Sequence, residues 1–339
     1  MKKVFFYGQK ERVNRIYDNL KNFVGKNEVH NPGDVLCVST KNNGFFDTFI
    51  IADGIHTFCE LLDSKEQEAY IDVINPADLP YCGGKDVTVK TDAAIDAFTN
   101  ELPYFKNIVA SDVEVAKNIV MKATEKITLD GIMLSGGTEG VNGKLTFAAK
   151  ELSLKNITAK ENATLYNAFE GYQALNDENY KGIEKVTAEK LDIDCPSLTH
   201  NIINVYTPAD GAKILVKDSQ FNLTVDNSNI LRLANYMNSE NVEVVFENID
   251  WTYENSLTQQ AWGYAGLVIY QPASQDVALG GDLSKIKTWS FRFKNCRYNG
   301  EKITANNFGE HSQAFYLYNI GGNSAVAEPV AAGLNVIFE

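Results

Sequence analysis

The sequence predicts an all-β dominated chain whose main part is a right-handed parallel β-helix, a solenoid, preceded by a small α+β N-terminal module. Three observations predict it. From Ile127 onward an apolar-x-apolar-x-polar strand recurs, and its first-strand units end at Gly131, Asn156, Cys195, Asp218, Asn248 and Asn295, spaced 25, 39, 23, 30 and 47 residues apart. Second strands fall between them, at Ile202–Tyr206, Asn229–Leu233, Leu267–Tyr270 and Phe315–Tyr318. The connections are long and polar, with few Asn-Gly turns, as parallel pairing requires and hairpins do not. A basic circuit in the low twenties with variable insertions is the signature of stacked repeats. A sandwich would contain similar alternating strands, with the terminal Asn acting as a turn former, but it would join them by tight turns.

The units are Ile127-Thr128-Leu129-Asp130-Gly131, Leu152-Ser153-Leu154-Lys155-Asn156, Leu191-Asp192-Ile193-Asp194-Cys195, Ile214-Leu215-Val216-Lys217-Asp218, Val244-Val245-Phe246-Glu247-Asn248 and Phe291-Arg292-Phe293-Lys294-Asn295. One circuit cannot bury its inward Leu, Ile, Val and Phe alone, whereas stacked circuits share a continuous core. An amide at the same turn of successive circuits can bond its neighbour, so Asn156, Asp218, Asn248 and Asn295 are expected to form a structural ladder.

Upstream, residues 1–82 read as one unit. Val4–Tyr7 predicts a strand and Glu11–Phe23 a helix. Val35–Val38 and Phe45–Ala52 predict a hairpin turned by Lys41-Asn42-Asn43-Gly44, where Asn-Gly supplies positive φ. The cluster from Asn75-Pro76 to Gly83-Gly84 marks a boundary. Residues 83–126, with helix-compatible spacing at Asp92–Leu102 and Asp112–Thr124, are expected to be a linker or a cap of the solenoid, or alternating short strands. Residues 127–320 make the solenoid and 321–339 a tail or edge strand.

The composition narrows the function. At 44% hydrophobic and 22% charged the chain has an ordinary globular balance, so it should fold. A net charge of −13 disfavours nucleic acid and anionic membranes, which need clustered Lys and Arg. No window approaches the ~20 apolar residues of a membrane span, and the apolar run at Val4–Tyr7 is too short for a signal peptide. The sequons at Asn156, Asn162 and Asn222 then carry little meaning. Five widely spaced cysteines without a CxxC pair predict free thiols of a reducing cytoplasm.

Metal and cofactor sites are not expected. His30, His56, His200 and His311 are dispersed, and Asp226-Asn227-Ser228-Asn229 lacks the Gly and Glu of an EF-hand. Gly83-Gly84-Lys85-Asp86 and Gly136-Gly137-Thr138-Glu139-Gly140 do not match a phosphate loop. One enzymatic alternative is carried by acids: Asp192 and Asp194 would face outward together, roughly 7 Å apart, with Glu247 further along the same face. Such a set could cleave a glycan as a depolymerase. Trp251, Tyr253, Trp262, Tyr264 and Tyr270 could supply a stacking platform or a subunit contact. Against catalysis, the same outward positions also carry Lys155, Lys217, Arg292 and Lys294.

Two stretches resemble known proteins. Gly33-Asp34-Val35, then Phe49-Ile50-Ile51-Ala52-Asp53-Gly54 and Thr57-Phe58-Cys59-Glu60-Leu61, resembles a small module near the N-termini of tailed-bacteriophage fibre proteins. Residues 127–304 are similar to β-helical domains of phage capsid-fibre and virion structural proteins, through Leu152–Thr158, His200–Asn204, Asn229–Asn235, Ala265–Tyr270, Phe293–Cys296 and Gly300–Ile303. The resemblance implies a non-catalytic head fibre or capsid decoration protein on the virion surface, assembled in the host cytoplasm. Its partners would be the major capsid protein or neighbouring subunits, including copies of itself, with a host-surface glycan as a further ligand. A tail or baseplate position is the structural alternative.

Overall fold

A computed structural model of the chain describes residues 35–39, 46–50, 86–99, 104–136, 143–160, 163, 165, 167–172, 180–195, 200–223, 228–253, 266–270, 283–306, 315–318 and 333–339. Within the N-terminal unit, β1 (Val35–Ser39) and β2 (Phe46–Ile50) pair antiparallel, Val35 opposite Ile50 and Ser39 opposite Phe46. The strand at Val4–Tyr7, the helix at Glu11–Phe23 and the Lys41–Gly44 turn lie outside the described residues.

The rest is dominated by strands that pair in parallel. A first stack holds β3 (Asp86–Val89), β4 (Phe105–Ser111), the end of β6 (Ile119–Asp130), β9 (Glu151–Ala159), β11 (Ile183–Cys195), β13 (Pro208–Leu223), β15 (Glu243–Tyr253), β17 (Ser290–Lys294) and β21 (Asn335–Phe338), each parallel to the next. A second stack holds the start of β6, β8 (Leu145–Ala148), β10 (Phe169–Gly171), β12 (His200–Val205), β14 (Ser228–Ala234), β16 (Leu267–Tyr270) and β20 (Phe315–Tyr318), also parallel throughout. From β6 onward the described strands alternate between the stacks, a strand of the second stack and the first-stack strand that follows it making one circuit. Two-residue strands β5 (Glu114–Val115) and β7 (Met133–Leu134) extend the first stack. The short β18 (Arg297–Tyr298) and β19 (Glu301–Lys302) are antiparallel.

Alternation explains the core. In β6 the buried residues are Ile119, Met121, Ala123, Ile127 and Leu129, every second position on either side of one irregularity. In register, Ile127, Leu152, Val186, Ile214, Val244 and Phe291 form one inward column, and Leu129, Leu154, Ala188, Val216, Phe246 and Phe293 a second. Both stacks contribute to a single hydrophobic cluster. Among the described residues the stacking begins at Asp86, inside the segment expected to be a linker or cap. There the helix α1 (Asp92–Asp96) and a single 3-10 turn (Ala97–Thr99) stand between β3 and β4, and Asp112–Thr124 holds the short β5 and the start of β6, with no helix.

The first stack bends at a fixed place in each circuit. Asp112, Gly131, Asn156, Lys190, Asp218, Asn248 and Asn295 all have φ between 48° and 68°, and the pairing on either side aligns them as one column. Asn, Asp and Gly adopt this left-handed backbone most readily. Lysine does not, and Lys190 hides its unit. The sequence alignment placed Leu191–Cys195 in the column of Leu152–Asn156, but the true counterpart is Val186–Lys190, five residues earlier.

Candidate functional site

The outward face of the first stack is the location of the acids singled out in the sequence. Asp192 and Asp194 lie on β11 beyond the Lys190 bend, both exposed. Asp192 stands in register with Thr158 and Gln220, and Asp194 with Asn222. Asp194 accepts a hydrogen bond from Asn222 Nδ2 at 3.0 Å, and Asn222 Oδ1 accepts one from the Thr252 hydroxyl at 3.0 Å. Glu247 is elsewhere: it precedes the bend, and the β11 residue in its column is Glu189, by way of Lys217 on β13. The expected alignment of Glu247 with the Asp192–Asp194 pair is therefore corrected, because the five-residue misalignment carried those aspartates across the bend.

Glu247 instead belongs to a column of alternating charge: Asp130, Lys155, Glu189, Lys217, Glu247 and Lys294, one per circuit. Lys217 pairs with Glu189 at 3.3 Å and Lys294 with Glu247 at 2.8 Å. The Glu247 carboxylate, by hydrogen bond and charge, raises the Lys294 pKa above its ordinary value. Such exposed pairs contribute little individually. Their order matters more, since pairing any circuit with the next but one would set like charges opposite each other.

At the bend, Asn248 Nδ2 donates to Asp218 Oδ1 at 2.7 Å, and Asn295 Nδ2 donates to Asn248 Oδ1 at 2.9 Å. Asn156 occupies the same column two circuits earlier and donates to Asp130 Oδ1 at 2.6 Å. Lys190 interrupts the run. Lys190→Asn is expected to relieve the left-handed strain and let a new amide reach back to Asn156, stabilising the chain by about 1 kcal/mol. A rise in the urea midpoint at unchanged slope checks it.

A second ladder lies in the other stack and was not singled out from the sequence. Asn201 Nδ2 donates to Asn167 Oδ1 at 2.6 Å, and Asn229 Nδ2 donates to Asn201 Oδ1 at 3.0 Å. All three are buried, Asn201 to 1% exposure. The signal was present: Asn167-Ala168-Phe169, Asn201-Ile202-Ile203 and Asn229-Ile230-Leu231 each set an Asn two residues before an inward second-stack residue.

Beside this ladder, Glu170 of β10 points outward and gathers donors from three circuits. It accepts from the Tyr206 hydroxyl at 2.8 Å and Asn167 Nδ2 at 3.1 Å, and it pairs with the Lys144 ammonium. Burial, then the Glu170 charge, pushes the Tyr206 pKa up. The Asn204 amide lies beside Tyr206 and partly offsets that rise, in a geometry short of a hydrogen bond. The arrangement is a clamp: a half-enclosed carboxylate neutralised by a cation and hydrogen-bonded to its neighbours.

Trp251 is fully buried in the first stack, its ring 5.9 Å from that of Tyr298, so it belongs to the core rather than to a surface platform. Trp262 and Tyr264 lie outside the described residues. The Cys296 thiol is buried, which pushes its pKa up to about 12. Among the described residues no group of His, Cys, Asp and Glu could hold a metal ion, and no helix is long and apolar enough to cross a membrane.

These features define a strand-dominated chain built on parallel stacking, with its outward polar groups joined from circuit to circuit. No protein-family model, curated protein or solved structure matches the chain.

Proposed function

We propose that the chain is a non-catalytic structural protein of a bacteriophage particle, a head fibre or capsid decoration component on the virion surface, with its circuits wound as a right-handed parallel β-helix. Connectivity supports this handedness. Adjacent parallel strands such as β9 and β11 are joined by a crossover through the second stack, and crossovers of this kind are right-handed in about 98% of cases.

The observation that carries the function is the use of outward polar side chains. Asp218, Asn248 and Asn295, the alternating charge column and the Glu170 clamp all bridge one circuit to the next. Side chains of a catalytic cleft converge on a reacting atom, whereas these run along the stacking direction and stiffen it. A rigid spacer or plate needs that stiffness. The resemblance of Gly33–Leu61 and of residues 127–304 to phage fibre and virion proteins supports the particle as its place, with the major capsid protein or neighbouring subunits as partners.

Mass spectrometry of density-purified particles should find the chain in fixed ratio to the capsid protein; its recovery only in the soluble fraction would sink the proposal. The double substitution Asp192→Ala, Asp194→Ala is expected to leave the melting temperature within about 2 °C of wild type, as exposed groups contribute little. Reducing-end assays on host-surface glycan should show no cleavage by either protein.

A further inference from the structure

Ahead of the bend, the outward face of the first stack is built from three columns of side chains. On β11, β13, β15 and β17 the middle column runs Thr187, Leu215, Val245 and Arg292. One flank is the alternating column already described, here Glu189, Lys217, Glu247 and Lys294. The other flank is Lys185, Lys213, Glu243 and Ser290. Each of these side chains is exposed or half-buried, although the strands that carry them bury their other face in the core. Leu215 and Val245 stand side by side as the apolar centre of the patch, with charges to either side.

Two such faces can be laid on each other with their strands aligned, about 10 Å apart. A two-fold axis parallel to the strands sets each column on its own copy with the order of circuits reversed, and the charges decide where the axis falls. An axis through a strand sets its charge against itself, Lys217 on Lys217 or Glu247 on Glu247. Midway between β11 and β13, Lys185 meets Lys213. Midway between β15 and β17, Val245 meets Arg292 and Glu243 meets Ser290, so the apolar pair and one charge column go unmatched. Midway between β13 and β15, Lys213 meets Glu243, Lys217 meets Glu247 and Leu215 meets Val245, each twice over. Beyond them Glu189 meets Lys294, Lys185 meets Ser290 and Thr187 meets Arg292, and no two like charges face each other.

We propose that this sheet face is a self-association surface on which a second copy of the chain docks, about a two-fold axis midway between β13 and β15. Lys213 and Glu243 carry the argument furthest. They lie in register on neighbouring strands, yet among the described residues neither makes an ion pair. Lys217 and Glu247, by contrast, already pair within the chain, with Glu189 and Lys294. The second copy gives Lys213 and Glu243 the opposite charges that their own chain does not, and it covers Leu215 with Val245. The matched patch spans roughly 300 Å² on each copy, at about 4.8 Å between strands and 3.3 Å per residue, which places it among weak, transient contacts. Such an interface is isologous, closes at two chains and weakens as salt screens its charges. It stands apart from the particle-surface reading and does not depend on it.

The test is sedimentation velocity of the full 339-residue chain, carried up to about 0.5 mM, where a weak interface is populated. Wild type is expected to approach twice the 37.6 kDa chain mass and to return to a single chain mass in about 1 M salt. Lys213→Glu places a carboxylate against Glu243 of the other copy, and Glu243→Lys places an ammonium against Lys213, twice in each case. Each variant should therefore stay monomeric, with an unchanged circular dichroism spectrum. An equimolar mixture of the two should restore the dimer, because both cross-pairs are again opposite in sign; a role confined to folding produces no such rescue. A wild type that is monomeric at every concentration would overturn the proposal, as would single variants that still dimerise, a mixture that stays monomeric, or open-ended filaments.

Discussion

Asn201→Ala should lower stability by about 2–4 kcal/mol, the largest effect expected of any single polar substitution among the described residues. Asn201 is 1% exposed, donates to Asn167 and accepts from Asn229, so its loss removes one partner from each of two buried amides. A buried polar group deprived of its partner costs about 1–3 kcal/mol. Asn248→Ala makes the control. Asn248 also bridges two neighbours, but it is exposed, and water replaces what the ladder loses; the expected cost is about 0.5–1 kcal/mol. Urea unfolding followed by circular dichroism separates the two, and equal losses would mean that burial does not set the worth of these ladders.

Phe293→Ala should cost about 3–5 kcal/mol, the usual range for removing a buried aromatic ring. Phe293 sits between the rings of Phe246, at 5.5 Å, and Phe338, at 5.7 Å, both near-parallel, so it joins three circuits. Stacked repeats depend on their neighbours, and the damage should be directional. Amides of β17 and β21 should lose hydrogen-exchange protection first, while those of β6 and β9 keep theirs. Uniform loss across the stacks would contradict nearest-neighbour stacking.

The strands were legible in the sequence because inward and outward residues alternate, and the β1–β2 pair because two apolar runs flank the dipeptide Asn43-Gly44. The bend column was legible where Asn or Asp fills it. At Lys190 it was not, because a lysine at positive φ is rarely met. That single residue shifted Asp192 and Asp194 onto the wrong side of the bend and brought Glu247 into apparent company with them. The stretch Asp112–Thr124 left a helix and short strands both open for another reason. Val113, Val115, Ile119 and Met121 are all inward, but the gap between Val115 and Ile119, where the chain passes from one stack to the other, breaks the two-residue period and imitates a helical one.

The buried Asn ladder went unrecognised because asparagine at a strand entry reads as a turn residue. Only alignment of the second strands, rather than the first, sets Asn167, Asn201 and Asn229 in line. The Glu170 clamp could not be read at all. Its donors Lys144, Asn167 and Tyr206 come together through register, which depends on the lengths of the insertions between circuits.

The measurement that tests the central claim most directly is immunogold electron microscopy on intact particles, with antibody raised against residues 85–325. The account predicts gold over the head, at regular positions on its surface. Gold confined to the tail would keep the structural role and move its place. Absence of label from accessible particles, together with glycan cleavage by the purified chain that Asp192→Ala, Asp194→Ala abolishes, would contradict the account and make the protein an enzyme.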